Sequence, residues 1–317
     1  MQEAPFYTEL AEGPDGGSAA WCQTSDGVRI RVGHWPARIS ETQAAPKGTV
    51  FLFPGRTEYI EKYGPAAGVF TQAGYAMLAI DWRGQGIADR LLEVQATGHV
   101  RAFDDYQQDV DAALDYARAH DLPRPWYLIG HSMGGAIGLG AVLRDVPFSA
   151  AAFSAPMWGI RLAPWQTPLA KVLTALTRVL GIDHWRTPGT FAQTYVLKNG
   201  FEGNKLTTDA GMYAFMQRQM IGAPALALGG PSMRWLGTAL ESCAGMAQRP
   251  APALPACVFY GSDEEIVSTR SIDARVQSWP SCEKHVIAGA RHEIMMETPQ
   301  IQTMFFDTVL ALFARHR

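Results

Sequence analysis

Four cysteines in 317 residues, none of them spaced C-x-x-C, leave this sequence without a disulfide framework or a cysteine zinc site. Cys22, Cys243, Cys257 and Cys282 read as buried or incidental thiols compatible with a reducing compartment. Long charge-free apolar runs are missing too, so no segment is expected to span a bilayer. The opening residues Met1-Gln2-Glu3-Ala4-Pro5 lack the basic stretch and apolar core of a signal peptide. A charge excess is also absent. The net charge of −3 gives no reason to expect a nucleic-acid partner. There is no internal repeat and no low-complexity tract. These absences point to a soluble, cytoplasmic chain, with peripheral membrane contact left open and the oligomeric state unspecified.

What remains is an ordinary globular composition, 47% hydrophobic and 18% charged, long enough for one large α/β domain with an insertion. Residues 1 to about 18 are polar and Gly-rich and read as a mobile lead-in. Ala20–Thr24 and Val28–Trp35 flank the turn Ser25-Asp26-Gly27 and predict an antiparallel hairpin. A loop is expected over 41–48. Thr49–Phe53 is a continuous apolar run, as in a strand buried on both faces. Further strands are expected at Tyr75–Ile80, Trp126–Ile129, Ala150–Ser154, Cys257–Tyr260 and His285–Ala288. Helices are expected at Glu61–Ala73, Asp104–His120 and Pro299–Arg317. Strand and helix alternate, which predicts a mostly parallel central sheet with helices on both faces. Ligands of such sheets sit beyond the carboxyl ends of the strands.

Met157 to about Pro250 breaks the alternation. It has little β pattern and helical stretches at Leu169–Leu180 and Ala210–Met220, then a Gly/Pro-rich piece over Ala223–Pro231. It reads as a helical cap, 157–250, inserted into a core formed by 1–156 and 251–317. Leu169, Val172, Leu173, Leu176, Val179 and Leu180 fall on one side of the first helix. The segment holds half of the twelve methionines: Met157, Met212, Met216, Met220, Met233 and Met246. It also holds Trp158, Trp165, Trp185 and Trp235. Each of these alone is expected to pack cap on core. As a set they suggest an apolar pocket, because methionine adapts to irregular ligands.

The chemistry concentrates at Gly130-His131-Ser132-Met133-Gly134, a G-x-S-x-G stretch between the Trp126–Ile129 strand and the apolar run Ala136–Leu143. This pattern lifts a serine out of a sharp strand-to-helix turn, and the glycines avoid collision in it. A serine needs a base within hydrogen-bond reach, and the base needs a carboxylate to fix its tautomer. In the order serine, acid, histidine, the histidines available are His184, His285, His292 and His316. His292 lies in a loop just past the last strand and is the expected base. The acid is expected after the preceding strand, among Asp263, Glu264 and Glu265, and spacing does not separate these three. Two backbone N–H groups are needed for developing negative charge. Met133 supplies one; Arg56, in the turn Pro54-Gly55-Arg56-Thr57 after Thr49–Phe53, is expected to supply the other. The Arg56 side chain is either a solvated charge or a partner for a polar or anionic head group.

Together these residues resemble the α/β-hydrolase superfamily, and within it the group of lysophospholipases and monoacylglycerol lipases. Gly130-His131-Ser132-Met133-Gly134-Gly135 is similar to that group's nucleophile turn. Asp81-Trp82-Arg83-Gly84-Gln85-Gly86 resembles its D-x-R-G-H-G loop, with Gln85 in place of histidine. Asn204-Lys205-Leu206-Thr207-Thr208-Asp209 resembles N-x-L-T-x-D, and Gly289-Ala290-Arg291-His292-Glu293 resembles G-x-x-H-E. The group's acid precedes an aliphatic pair by two residues. Ile266-Val267 therefore places it at Glu264, with Asp263 the alternative because most members have aspartate there. The oxyanion strand of the group ends His-Gly; here it ends Pro54-Gly55. The resemblance implies ester hydrolysis through an acyl-enzyme, with a lysophospholipid or monoacylglycerol as the small-molecule substrate and no metal or organic cofactor. Hydrolysis of small esters or lactones on the same scaffold is the alternative within enzymes. A non-catalytic ligand binder on this fold is the alternative outside them.

Overall fold

The computed structural model describes residues 2–39, 45–163 and 165–317. The start of the loop expected over 41–48 lies outside the described residues. The strands are β1 (Gln2–Glu3), β2 (Ser18–Gln23), β3 (Arg29–Trp35), β4 (Thr49–Phe53), β5 (Ala76–Asp81), β6 (Trp126–His131), β7 (Phe148–Ser154), β8 (Ala256–Gly261) and β9 (Cys282–Ile287). They form one sheet in the order β1-β2-β3-β5-β4-β6-β7-β8-β9. The pairs from β1 to β3, and β3 with β5, are antiparallel; the rest of the sheet is parallel. The helices are α1 (Thr8–Ala11), α2 (Gly64–Gln72), α3 (Tyr106–Ala119), α4 (Met133–Val142), α5 (Gln166–Val179), α6 (Tyr195–Lys198), α7 (Ala210–Gly222), α8 (Met233–Ala247), α9 (Thr269–Gln277) and α10 (Pro299–Arg315).

The apolar run of β4 has a simple cause: both faces of the sheet are covered. Phe51 and Phe53 join a core with Leu128, Ile137 and Phe153 on one face. Val50 and Leu52 join Ile129, Phe70 and Phe313 on the other. Side chains alternate across a strand, so a strand between two cores has no polar side to show. The helix expected over 61–73 begins as a 3-10 turn, Ile60–Tyr63, before α2.

Two expectations are corrected, on the lead-in and on the last strand. Residues 2–18 are not a loose lead-in. β1 pairs with β2, Ala4 and Ala11 are buried, and the Pro5 carbonyl accepts from Arg31 Nη1 at 2.8 Å. The polar composition hid this, because the anchoring is done by backbone groups and two alanines. The last strand begins at Cys282 and ends at Ile287, three residues before the expected start and one before the expected end. The apolar stripe of α5 does not face the core, for no residue of that helix is buried. Leu169 is 46% exposed, Val172 63%, Leu176 50% and Val179 84%. The helix instead lays Thr174 against Gly237 of α8, where an added Cβ would stand 3.0 Å from the threonine.

Between β7 and β8 the described residues contain no strand and carry α5, α6, α7 and α8. The helix α8 was not anticipated. Its N-cap Ser232 accepts from the Trp235 N–H at 3.1 Å, the usual start signal. No helix among the described residues is long and apolar enough to cross a membrane.

Candidate active site

The turn between β6 and α4 holds Ser132 at φ 50° and ψ −119°. That left-handed backbone is costly for a non-glycine residue, and the surroundings over-determine it. The Ser132 N–H donates to the Ser154 carbonyl at 3.0 Å, and its own carbonyl accepts from Gly135 and Met157. A Cβ on Gly134 would lie 2.0 Å from the Phe53 carbonyl oxygen, and one on Gly130 would lie 2.8 Å from the Gly135 Cα. The glycines thus let the turn press against the end of β4.

His292 follows β9 and Glu264 follows β8. The His292 Nε2 lies 2.9 Å from the Ser132 Oγ, and its Nδ1 lies 2.7 Å from the Glu264 Oε2. The other carboxylate oxygen, Oε1, accepts from the Ile266 N–H at 2.5 Å and the Val267 N–H at 3.0 Å. The aliphatic pair marks the acid because its amides hold it. Burial pushes the Glu264 carboxyl up, but the imidazole and these donors bring it below the ordinary carboxylate value. Asp263 is exposed and accepts from the Ser262 hydroxyl at 2.9 Å; it does not reach the histidine. Glu265 pairs with Lys205 at the surface.

The Met133 N–H heads α4, where helix amides have no intrahelical acceptor. Among the described residues, neither the Met133 nor the Arg56 N–H has a hydrogen-bond acceptor. The turn carrying Arg56 is held from three sides. Gly55 N–H donates to the Glu58 carboxylate, Thr57 N–H donates to Gln85 Oε1 at 2.5 Å, and Trp82 Nε1 donates to the Pro54 carbonyl at 2.9 Å. Gln85 also points its Nε2 at the Met133 sulfur, 3.6 Å away. The glutamine in the second motif therefore links the two turns.

A buried ion network was not anticipated. Lys62 Nζ lies 2.6 Å from Glu58 and 2.7 Å from Glu293. His131 Nε2 lies 3.2 Å from Glu293 and 3.4 Å from Glu58. Burial opposes the charge on Lys62, but Glu293 and Glu58 carry its pKa above the ordinary lysine value. Likewise burial would lift Glu293, and Lys62 and His131 hold it well below the carboxylate range. Glu58, His131 and Glu293 offer oxygen and nitrogen atoms within 4.8 Å of one another, as a metal site would. The Lys62 ammonium contacts both carboxylates there, so a cation of the protein's own already bridges them. In the sequence, Glu61–Ala73 reads as a helix, and nothing local sets Glu58 or Lys62 apart.

The third motif is a clasp on the histidine loop. Asn204 Oδ1 accepts from the Leu206 and Thr207 N–H groups at 2.8 and 3.0 Å. Thr207 Oγ1 donates to the Met296 carbonyl at 2.6 Å, Thr208 donates to Glu297, and the Leu206 carbonyl accepts from the Glu293 N–H at 2.8 Å. Asp209 caps α7 by accepting from Met212.

The methionine and tryptophan set is dispersed. Met157, Trp158 and Trp235 pack in one core, and Met216 and Met220 in the other. Trp165 and Trp185 are on the surface. A cavity of about 690 Å³ lies between α5 and α8, lined by Lys171, Arg178, Met233 and Glu241, and touches no residue of the Ser132 cluster. A second, of about 320 Å³, is lined by Arg56, Thr57, Phe191, Tyr195 and Lys198. None of the four cysteines forms a disulfide among the described residues.

The fold and this cluster define a serine hydrolase of the α/β-hydrolase class. The chain belongs to the family described as serine aminopeptidase, S33, whose model matches residues 44–299. It is similar to lysophospholipase L2 of Escherichia coli, at 28% identity over 93% of this chain and 89% of that protein. It is similar also to the monoacylglycerol lipase of Mycolicibacterium smegmatis, at 24% identity over 92% of this chain and 94% of that one. Among solved structures it superposes on a soluble variant of monoglyceride lipase from Saccharomyces cerevisiae bound to a substrate analogue. The TM-score is 0.75 at 20% identity, covering 99% of each chain, which is a likeness of fold.

Proposed function

We propose that this protein hydrolyses the carboxylic ester of a single-chain lipid, a lysophospholipid or a monoacylglycerol, through an acyl-enzyme. The observation that carries this is the line of hydrogen bonds from Glu264 through His292 to Ser132, beside two amides without an acceptor. Ser132 Oγ attacks the ester carbonyl carbon as His292 Nε2 takes its proton. The Arg56 and Met133 N–H groups receive the oxyanion. The carbon–oxygen bond to the alcohol breaks, and His292 returns the proton to the leaving oxygen. Water then attacks the acyl-serine, with His292 again as base, and the fatty acid leaves. Glu264 holds the tautomer and stabilises the imidazolium. No step draws on a metal or organic cofactor.

The lipid reading is supported by the named relatives and by the exposed apolar face of α5, which suits a lipid aggregate better than water. Ser132 is only 8% exposed. We therefore treat 157–250 as a lid over a core of 1–156 and 251–317, and entry of substrate as a movement of that lid.

A fluorophosphonate probe is expected to label the wild type and not Ser132→Ala. Labelling that survives the substitution rejects Ser132 as nucleophile. A ladder of esters from acetyl to palmitoyl is expected to favour long chains. A sharp preference for the short end replaces the lipid reading with a small-ester one.

A further inference from the structure

The buried cations of this molecule are mostly neutralised by acids. Arg31 faces Glu61 and Asp81, Lys62 faces Glu58 and Glu293, and Arg83 faces Asp26 and Asp109. Arg56 is different. Among the described residues no carboxylate pairs with it. Its Nη1 donates to the Gly229 carbonyl at 2.9 Å, and its guanidinium carbon stands 5.5 Å above the Trp235 ring. Burial pulls its pKa down to about 10. Arg90 and Arg275 also lack an acid, but Arg90 spends its fork on four carbonyls and Arg275 on two. Arg56 spends one N–H. Among the described residues the remaining donors have no hydrogen-bond partner, and they are not among the sealed polar atoms of the interior. They open on the cavity of about 320 Å³, which Lys198 also lines and which has no acidic residue in its wall. In a chain of net charge −3, a cavity with two cations and no anion is a local inversion of the charge balance.

We propose that this cavity binds the phosphate of the lipid head group and that Arg56 selects lysophospholipid over monoacylglycerol. The inference rests on the reading of Ser132 as the nucleophile acting on a single-chain lipid. A guanidinium fork with free N–H groups matches the oxygens of a phosphodiester, whereas a neutral glycerol leaves its charge unpaired. The length agrees. From an ester carbonyl carbon to the phosphorus of a 1-acyl lysophospholipid is six bonds, roughly 7 Å extended, about the reach of an arginine side chain. The same residue would then serve the reaction twice, with its amide at the oxyanion and its fork at the phosphate.

The test compares 1-palmitoyl lysophosphatidylglycerol with 1-palmitoylglycerol in the same detergent micelles. For Arg56→Met, the ratio of kcat/KM between these substrates is expected to fall tenfold to a hundredfold, mostly through KM. Arg56→Lys is expected to recover part of it. Lys198→Met, at an exposed position, is expected to lower the ratio less and keeps the test open if the arginine variant does not fold. Glycerol 3-phosphate is expected to slow fluorophosphonate labelling of the wild type and not of Arg56→Met; inorganic phosphate at equal concentration is expected to be weaker. An equal fall on both lipids overturns the proposal, because Arg56 would then only hold its turn. Equal protection by inorganic phosphate overturns the head-group assignment. If the wild type cleaves neither lipid but still reacts with the probe, the lipid reading fails alone. The protection experiment then decides whether the anion site exists.

Discussion

Lys62 and Glu293 are 231 positions apart in the chain and meet at 2.7 Å in the buried interior. With Glu58 and His131 they form a strut between the turn carrying Arg56, the turn carrying Ser132 and the loop carrying His292. Lys62→Met leaves two buried carboxylates facing one another. Loss of one partner from a buried pair costs about 3 to 5 kcal/mol. Urea unfolding is expected to show a loss of that size. The double variant Lys62→Met/Glu293→Gln is expected to lose less than the sum of the singles, since the orphaned charge is gone.

The acid is discriminated by its hydrogen bonds. Glu264→Gln keeps the shape but removes the charge that fixes the imidazole, and kcat is expected to drop about 10³- to 10⁴-fold. Glu264→Asp withdraws the carboxylate by one methylene from both the imidazole and the two amides, and is expected to be clearly impaired. Asp263→Asn alters only an exposed side chain and is expected to stay within about twofold of the wild type. Steady-state hydrolysis of one soluble ester measures all three.

Acid stability follows from the same carboxyls. Glu264 and Glu293 both sit below the ordinary glutamate value in the folded state. A depressed pKa stabilises the fold above the unfolded value, and that stability is lost as pH falls through the folded value. Unfolding free energy is therefore expected to hold from pH 7 to about 5 and to fall below about 4.5. Glu293→Gln, compared by urea unfolding at pH 7 and pH 4, is expected to show a shallower decline than the wild type.

The exposed face of α5 has its own readout. Val172→Ser with Val179→Ser changes two side chains that are 63% and 84% exposed, so folding is expected to be unaffected within about 0.5 kcal/mol. Co-sedimentation with phosphatidylethanolamine/phosphatidylglycerol vesicles is expected to drop severalfold. Unchanged sedimentation removes this helix as a lipid contact.

Much of the core was legible because its signals are local. The run Thr49–Phe53 is β4 without a shift, since burial on both faces leaves only apolar residues. Ser132 and His292 were each marked by the strand they follow, whereas the strand before 263–265 left three acids open and the family resemblance alone pointed to Glu264. Other features depend on residues far apart, which no window contains. Lys62 looks like a surface lysine until Glu293 is beside it. The stripe on α5 has the spacing of a core helix, and only its outward packing shows otherwise. The lead-in looked loose because its anchors are backbone groups.

The clasp formed by 204–209 ties the helical segment to the loop that carries His292. Thr207 and Thr208 grip Met296 and Glu297, and Leu206 holds the amide next to the base itself. Withdrawing these residues would unseat the imidazole at the moment a substrate arrived. On the lid movement proposed above, the residues of the clasp are therefore expected to stay on the histidine loop while other parts of 157–250 move.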